Sequence, residues 1–370
     1  MIINERYPRK AASGVFSTAV REKRNMNRKG MVIQLIKLDH IRKTFRVSKR
    51  DPGLKNALRG FVKRQYDMIE ALADISFQVS DGEMVGYIGP NGAGKSSTIK
   101  VMSGILTPDS GECVIDGRIP WKQRREHVAN LGVVFGQRSG LWWDVPVGDS
   151  FELLRDIYSV PADEYRKNLD RLTEMLDLRD LLKTPTRQLS LGQRMRCEIA
   201  AALIHSPKLL FLDEPTIGLD AVSKLAVRSF VSELNRERGT TVILTTHDMQ
   251  DVEALAKRII LIGKGRILLD GSLSDLRHRF EGRRRLTAEF SGELDFGENQ
   301  GNKLFVIPDG ASLIDIQVSS GSSRAVFELD SCPVSRLVAA LSEKVELTDM
   351  SVDGTSIDEI VLNMYREYGI

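Results

Sequence analysis

Cysteine is scarce in this 370-residue sequence, and the three present, Cys113, Cys197 and Cys332, lie far apart with no CxxC pair. That excludes a disulfide framework and a cysteine zinc site, and points to reduced thiols in a cytosolic compartment. Long apolar runs are missing too. No stretch approaches the roughly 20 residues that a membrane-crossing helix needs, so the chain is not expected to span a bilayer by itself. Charge of one sign is not in excess: the net charge is +3, with 42% hydrophobic and 28% charged residues, as in an ordinary globular protein. No internal repeat is visible.

What is present begins with length, which exceeds one average domain and predicts a large core plus an appended piece. Basic residues are unevenly placed. Arg6, Arg9, Lys10, Arg21, Lys23, Arg24, Arg28 and Lys29 face only Glu5 and Glu22 at the start. Residues 1–31 therefore read as a disordered basic arm, or as sequence ahead of a true start at Met26 or Met31; their composition also fits a transit peptide.

QLIKLDH over 34–40 suggests a first strand and ISFQV over 75–79 a second. Between them, Leu54, Ala57, Leu58, Phe61 and Val62 fall on one helical face, with Lys55, Arg59, Lys63 and Arg64 elsewhere. This basic amphipathic helix at 53–65 fits packing on a sheet edge, or contact with anionic lipid headgroups or a membrane partner. Short apolar strands follow at 83–88, 208–212 and 241–245, as expected of a buried parallel sheet. Leucines at helical spacing over 153–182 predict an inserted helical subdomain. Past Arg283-Arg284-Arg285, alternation in Leu286-Ala288-Phe290, Ile314-Ile316-Val318 and Ala325-Phe327-Leu329 predicts a second, small α+β module. Its helices are expected at Val334–Leu341 and, after a Ser356/Glu359 capping box, on the face Ile357, Ile360, Val361 and Met364.

The chemistry is concentrated in three segments. Gly89-Pro90-Asn91-Gly92-Ala93-Gly94-Lys95-Ser96 fits GxxxxGK[ST] between a strand and a helix, followed by Ser97. Such a loop points successive N–H groups at phosphate oxygens, with the positive end of the helix behind them. Lys95 neutralises the terminal phosphates, and the Ser96 hydroxyl enters a magnesium shell. Asp213 and Glu214 end the apolar run Leu209–Leu212, which makes Asp213 the metal-side carboxylate. Strand alternation would turn Glu214 towards the attacking water as general base. The reading is ATP with Mg2+.

Leu189-Ser190-Leu191-Gly192-Gln193, a helix-opening turn shortly before Asp213, resembles the signature motif of the ATP-binding cassette (ABC) ATPases; by itself it also reads as a plain Ser190 cap. Gln137 resembles that family's Q-loop glutamine, Gly218-Leu219-Asp220 its D-loop, His247 its switch histidine and Phe45 the aromatic that stacks on adenine; a core role for Phe45 stays open. The resemblance covers about residues 32–280. Leu191, where a glycine usually stands, and the basic insertion at 46–69 depart from the commonest pattern.

The resemblance implies an α/β P-loop NTPase of ABC type: a RecA-like mixed sheet, an antiparallel β subdomain and a helical subdomain at 139–205 carrying the signature, all within 32–281. Residues 282–370 would be an accessory or dimerisation module, or a ligand sensor. It implies catalytic Glu214, His247, Gln137 and Lys95, and metal binding by Ser96, Gln137 and Asp213. Nucleotide contacts fall to Phe45, Gly89, Asn91, Gly92, Gly94, Lys95, Ser96 and Ser97, and across the pair to Ser190, Gly192, Gln193 and Asp220. A homodimer, or a pair with a second such subunit, would drive multi-spanning permease subunits at the cytoplasmic face of the membrane. The insertion is similar to that of an exporter subgroup, whose Q-loop is followed by tryptophans, here Trp142 and Trp143. They fit a permease-docking groove or internal packing. The rival class is a soluble cassette ATPase on nucleic acid or ribosomes; with only one cassette and no coiled coil, no nucleic-acid partner is expected.

Overall fold

The structure, a computed structural model, describes residues 34–48, 66–136, 139–280, 284–292, 294, 305–319, 321–354 and 357–370. The predicted arm at 1–31, the amphipathic helix at 53–65, Gln137 and Ser356 lie outside the described residues.

Strands β1 (Gln34–Ser48), β2 (Tyr66–Ser80) and β3 (Met84–Ile88) lead to helix α1 (Lys95–Met102), then β4 (Ser110–Ile115), α2 (Arg124–Val128) and β5 (Leu131–Phe135). Helices α3 (Val147–Ile157), α4 (Ala162–Leu176) and α5 (Leu191–Leu203) follow, then β6 (Leu209–Asp213), α6 (Ala221–Arg238) and β7 (Thr241–Thr246). The remainder is α7 (Met249–Leu255), β8 (Arg258–Gly263), β9 (Arg266–Ser272), α8 (Leu273–Phe280), β10 (Arg284–Ser291), β11 (Ala311–Ser319), β12 (Ser322–Leu329), α9 (Val334–Ser342), β13 (Leu347–Gly354) and α10 (Ile357–Glu367). Contacts divide these into two compact units: described residues up to Glu83 with Ser96–Ile243, and Met84–Lys95 with described residues from Leu244 on.

In the first unit β1 pairs antiparallel with β2 and with β4. Both long strands outrun their predicted spans, because pairing continues through Phe45↔Ile69 to Ser48↔Tyr66. Residues 67–70 are exposed, so no in–out alternation marks that stretch. β5 and β6 are parallel, with Phe135 opposite Asp213. Leu209–Leu212 are buried, as a parallel strand covered on both faces demands. Helix α4 starts after Pro161, buries Tyr165, Asn168, Leu172 and Leu176, and stops at Asp177, which is left-handed at φ 51°. The Arg196 guanidinium of α5 donates to Leu176 O (2.8 Å) and Asp177 O (3.2 Å), satisfying carbonyls the helix end leaves open.

In the second unit β3 runs parallel to β8, and β8 and β9 form an antiparallel hairpin. The four-stranded antiparallel sheet β11-β12-β10-β13 buries Leu286, Ala288, Phe290, Ala325 and Phe327 under Leu337 and Leu341 of α9. On edge strand β11 the register slips between Leu313 and Asp315, and Ile314 and Val318 are exposed. The apolar face of α10 does not join this core. Ile357, Ile360, Val361 and Met364 pack with Ile88, Val252, Ile259, Leu261, Leu273 and Leu276, on the strands and helices beside the phosphate-loop strand.

All three cysteines are free and buried, and burial pushes the Cys113 and Cys197 thiols up to about 12. His205, beyond α5, stacks on Tyr158 with ring centroids 3.8 Å apart, and its Nε2–H donates to Leu131 O (3.1 Å). Its Nδ1 is buried without a partner, and burial lowers the imidazole pKa to about 4. Below an ordinary pKa of 6.5 the unfolded chain takes up a proton that the folded chain refuses until about 4, so stability is lost as pH falls through that window. The full effect is on the order of 3 kcal/mol. His205→Gln is expected to flatten the fall in melting temperature between pH 7 and pH 5, measured by circular dichroism.

Candidate functional site

The loop between β3 and α1 is shaped by backbone that only glycine adopts freely, φ 81° at Gly92 and 112° at Gly94. Lys95 is buried, and its Nζ donates to Gly89 O (2.7 Å) and Pro90 O (3.3 Å) of its own loop. The turn of the β8–β9 hairpin supports the loop from behind: Gly265 N donates to Ala93 O at 2.9 Å. A side chain at Gly89 would meet Ile262 O at 2.5 Å. Asn91 and Gly92 are exposed. In the same unit His247 is exposed, just past β7; Thr246 Oγ1 accepts from Asp248 N (2.9 Å), and Asp248 caps α7.

In the first unit the Ser96 hydroxyl donates to Asp213 Oδ1 at 3.3 Å; Ser96 is exposed and Ser97 half-buried. Asp213 O accepts from Gly136 N at 2.8 Å. The strand alternation invoked from the sequence for Asp213 and Glu214 does not extend to Glu214. β6 ends at Asp213, and Glu214 is left-handed at φ 54°, a costly conformation for a residue with a side chain. Gly136 is a site residue that motif reading passes over. A Cβ there would lie 2.3 Å from Glu214 O, so only glycine lets the segment leading to residue 137 approach this backbone.

Ser190 caps α5 with a complete capping box: its Oγ accepts from Gln193 N (3.2 Å) and Gln193 Oε1 accepts from Ser190 N (2.9 Å). Gly192 is buried, and a Cβ on it would fall 2.3 Å from Ser223 Oγ of α6. Ser223 in turn donates to both oxygens of Asp220, and these two bonds, the backbone one first, hold the Asp220 carboxyl below its usual range. Leu191, the departure, lies against the other turn: its Cδ2 is 3.0 Å from where a Gly218 Cβ would be. The structure thus joins Ser190, Leu191 and Gly192 to Gly218 and Asp220. Leu191, Val222 and Leu225 remain exposed around that junction. Phe45 is opposite Ile69 and 36% exposed, which removes the core reading but leaves the ring available for stacking.

Residues 72–217 match the family model described as ABC transporter. The chain is 32% identical over 209 residues to "ABC transporter ATP-binding protein NatA" of Bacillus subtilis, covering 56% of this chain and 85% of that protein. It is 30% identical over 304 residues to "Daunorubicin resistance ATP-binding protein DrrA3" of Streptomyces coeruleorubidus, covering 82% and 93% respectively. Among solved structures, a "Dimeric structure of a post-hydrolysis state of the ATP-binding cassette MJ0796 bound to ADP and Pi" aligns with TM-score 0.54 and 27% identity, over 64% of this chain and 98% of that one.

The close approach at Gly136 is testable by itself. Gly136→Ala is expected to cost roughly 1–3 kcal/mol of stability, the usual penalty of overpacking against backbone. Gly271→Ala, where an added methyl meets nothing within 4 Å, leaves it unchanged. Chemical denaturation of the two variants is the comparison.

Proposed function

Because this chain belongs to the ABC transporter family of ATP-binding, ATP-hydrolysing proteins and has their P-loop fold, we propose that it drives a separate membrane permease by closing and opening as a pair around two ATP molecules. The observation that carries the nucleotide chemistry is the Ser96 hydroxyl resting on the Asp213 carboxylate, the phosphate-loop oxygen against the strand-end acid. One hydroxyl and one carboxylate, with phosphates completing the shell, fit Mg2+, which keeps few protein ligands. Gln137 is assigned as a further ligand. Bound there, the ion would neutralise charge on the phosphoryl oxygens.

Lys95 exchanges its hold on Gly89 O and Pro90 O for the terminal phosphates. Gly89, Asn91, Gly92 and Gly94 wrap the phosphates with N–H groups, Ser97 lies at the opening of α1, and Phe45 stacks on the adenine. Glu214 takes the proton of the attacking water, which Gln137 and His247 orient. From the other chain of the pair, the turn Ser190, Gly192 and Gln193 presents the positive end of α5 to the γ-phosphate, with Asp220 alongside. Each nucleotide favours the closed pair only through these cross-chain contacts, so hydrolysis releases it.

Trp142 and Trp143 are 40% and 49% exposed, and Val145, Leu153 and Ile157 of the following segment are exposed too. Exposed large apolar side chains of this kind suit a permease segment. Among the described residues no helix is long and apolar enough to cross a membrane. Export is the proposed direction, supported by a relative named for daunorubicin resistance. The chain would work at the cytoplasmic face, with 32–281 as the nucleotide-binding domain and 282–370 bracing the pair. Arg285, of the basic trio, is in an ion pair with Glu359 at 2.7 Å, in keeping with a structural role rather than a nucleic-acid one.

Glu214→Gln is expected to bind ATP, to form an ATP-dependent dimer by light scattering and to hydrolyse roughly 100-fold or more slowly, the scale of a lost general base. Turnover near the wild-type rate in that variant would remove Glu214 from the mechanism.

A further inference from the structure

Glu198 is a buried carboxylate in the middle of α5, about two turns beyond the Ser190 cap. A mid-helix glutamate ordinarily faces water, and burying a charge is costly unless it is fully hydrogen-bonded. Here one oxygen accepts from Ser139 Oγ and the other from Gly140 N at 2.9 Å. Ser139 Oγ also accepts from Leu141 N at 3.2 Å, which folds the segment into a tight knot around the carboxylate.

The same helix also reaches Trp143. Arg194, one turn before Glu198, sets its guanidinium 5.8 Å from the centre of the Trp143 ring, within the range of a cation–π contact. Trp143 O accepts from Arg187 N (3.1 Å), on the approach to the Ser190 turn, and Trp142 N donates to the buried Ser150 Oγ of α3 (3.4 Å). Arg194 thus ties Trp143 to α5, Glu198 ties Ser139 and Gly140 just ahead of the exposed tryptophans to the same helix, and α5 opens at Ser190.

We propose that Glu198 is a positioning residue that makes the Trp142–Trp143 surface and the Ser190 turn move as one body. A push on the tryptophans then shifts the turn, and capture of the turn shifts the tryptophans. Burial drives the Glu198 carboxyl up while the bonds from Ser139, Gly140 and Leu141 pull it down, so its retention in the interior rests on those donors. The inference rests on the reading above, in which the Ser190 turn engages a nucleotide across the pair. It goes beyond that reading in naming the tie that carries the motion to the surface.

The test uses the full chain with Trp121→Phe and Glu214→Gln, which leaves Trp142 and Trp143 as the only indoles and slows turnover. MgATP is titrated, with light scattering reporting pairing and acrylamide quenching reporting tryptophan exposure. The parent is expected to change its quenching as the pair forms. Adding Glu198→Ala should remove more than half of that change, scored per paired chain at a temperature where the variant is folded, while the ATP dependence of pairing stays as in the parent. A residue that is merely structural would lower the melting temperature and leave the quenching change per paired chain as in the parent. If Glu198→Ala does not fold, Ser139→Ala, which deletes the hydroxyl that donates to Glu198 and accepts from Leu141 N, is scored the same way. A full quenching response in the variant, or none in the parent once it pairs, overturns the coupling. Failure of the parent to pair with ATP marks the failure of the nucleotide-sandwich reading itself, and the coupling falls with it.

Discussion

Within the first unit, Asp213 holds its neighbours through two bonds on opposite sides of one residue. Its carboxylate receives the Ser96 hydroxyl and its carbonyl receives the Gly136 N–H. Parallel pairing of β5 with β6 makes both possible, since it sets Phe135 opposite Asp213 and so delivers the β5 exit to the β6 end. Ligands in sheets of this kind gather beyond the carboxyl ends of the strands, where such loops converge. The left-handed Glu214 stands at the same close approach, its carbonyl 2.3 Å from where a Gly136 Cβ would be.

Much of this was legible because the phosphate loop, the strand-end acids and the helix-opening turn each carry their own geometric reason for their residues. Gly92 and Gly94 take the positive φ that the wrapped loop calls for, and the Ser190 cap that the sequence offers is present, completed by Gln193 into a capping box. Contacts between segments distant in sequence were not legible. Nothing in the spacing around Gly136 reveals that the Glu214 carbonyl lies where a methyl would go, and nothing around Leu191 reveals Gly218 beneath it. Glu198 reads as a solvated helix position until Ser139 and Gly140 are placed around it. The long β1–β2 ribbon escaped for a different reason, since pairing sustains it through residues that are exposed.

Two helices carry capping residues of evident purpose, and their closeness ties signature to D-loop. Ser190 caps α5 and Asp220 caps α6, while Ser223, bound to Asp220, occupies the space beside Gly192. Neither motif is a freestanding loop, because each is the first turn of a helix and each limits where the other can lie. Leu191 adds an apolar contact at the seam and leaves part of its side chain exposed at the surface where a second chain is proposed to meet it.

The packing of α10 on the strand behind the phosphate loop has a consequence for how the protein is made. Ile88 leaves the ribosome roughly 270 residues ahead of Ile360, its neighbour in the mature cluster. At a synthesis rate of about 5–20 residues per second, that strand waits some tens of seconds for the helix that completes its cover. Until α10 emerges the apolar cluster around Ile88 stays incomplete, so this packing can close only after translation has passed residue 364.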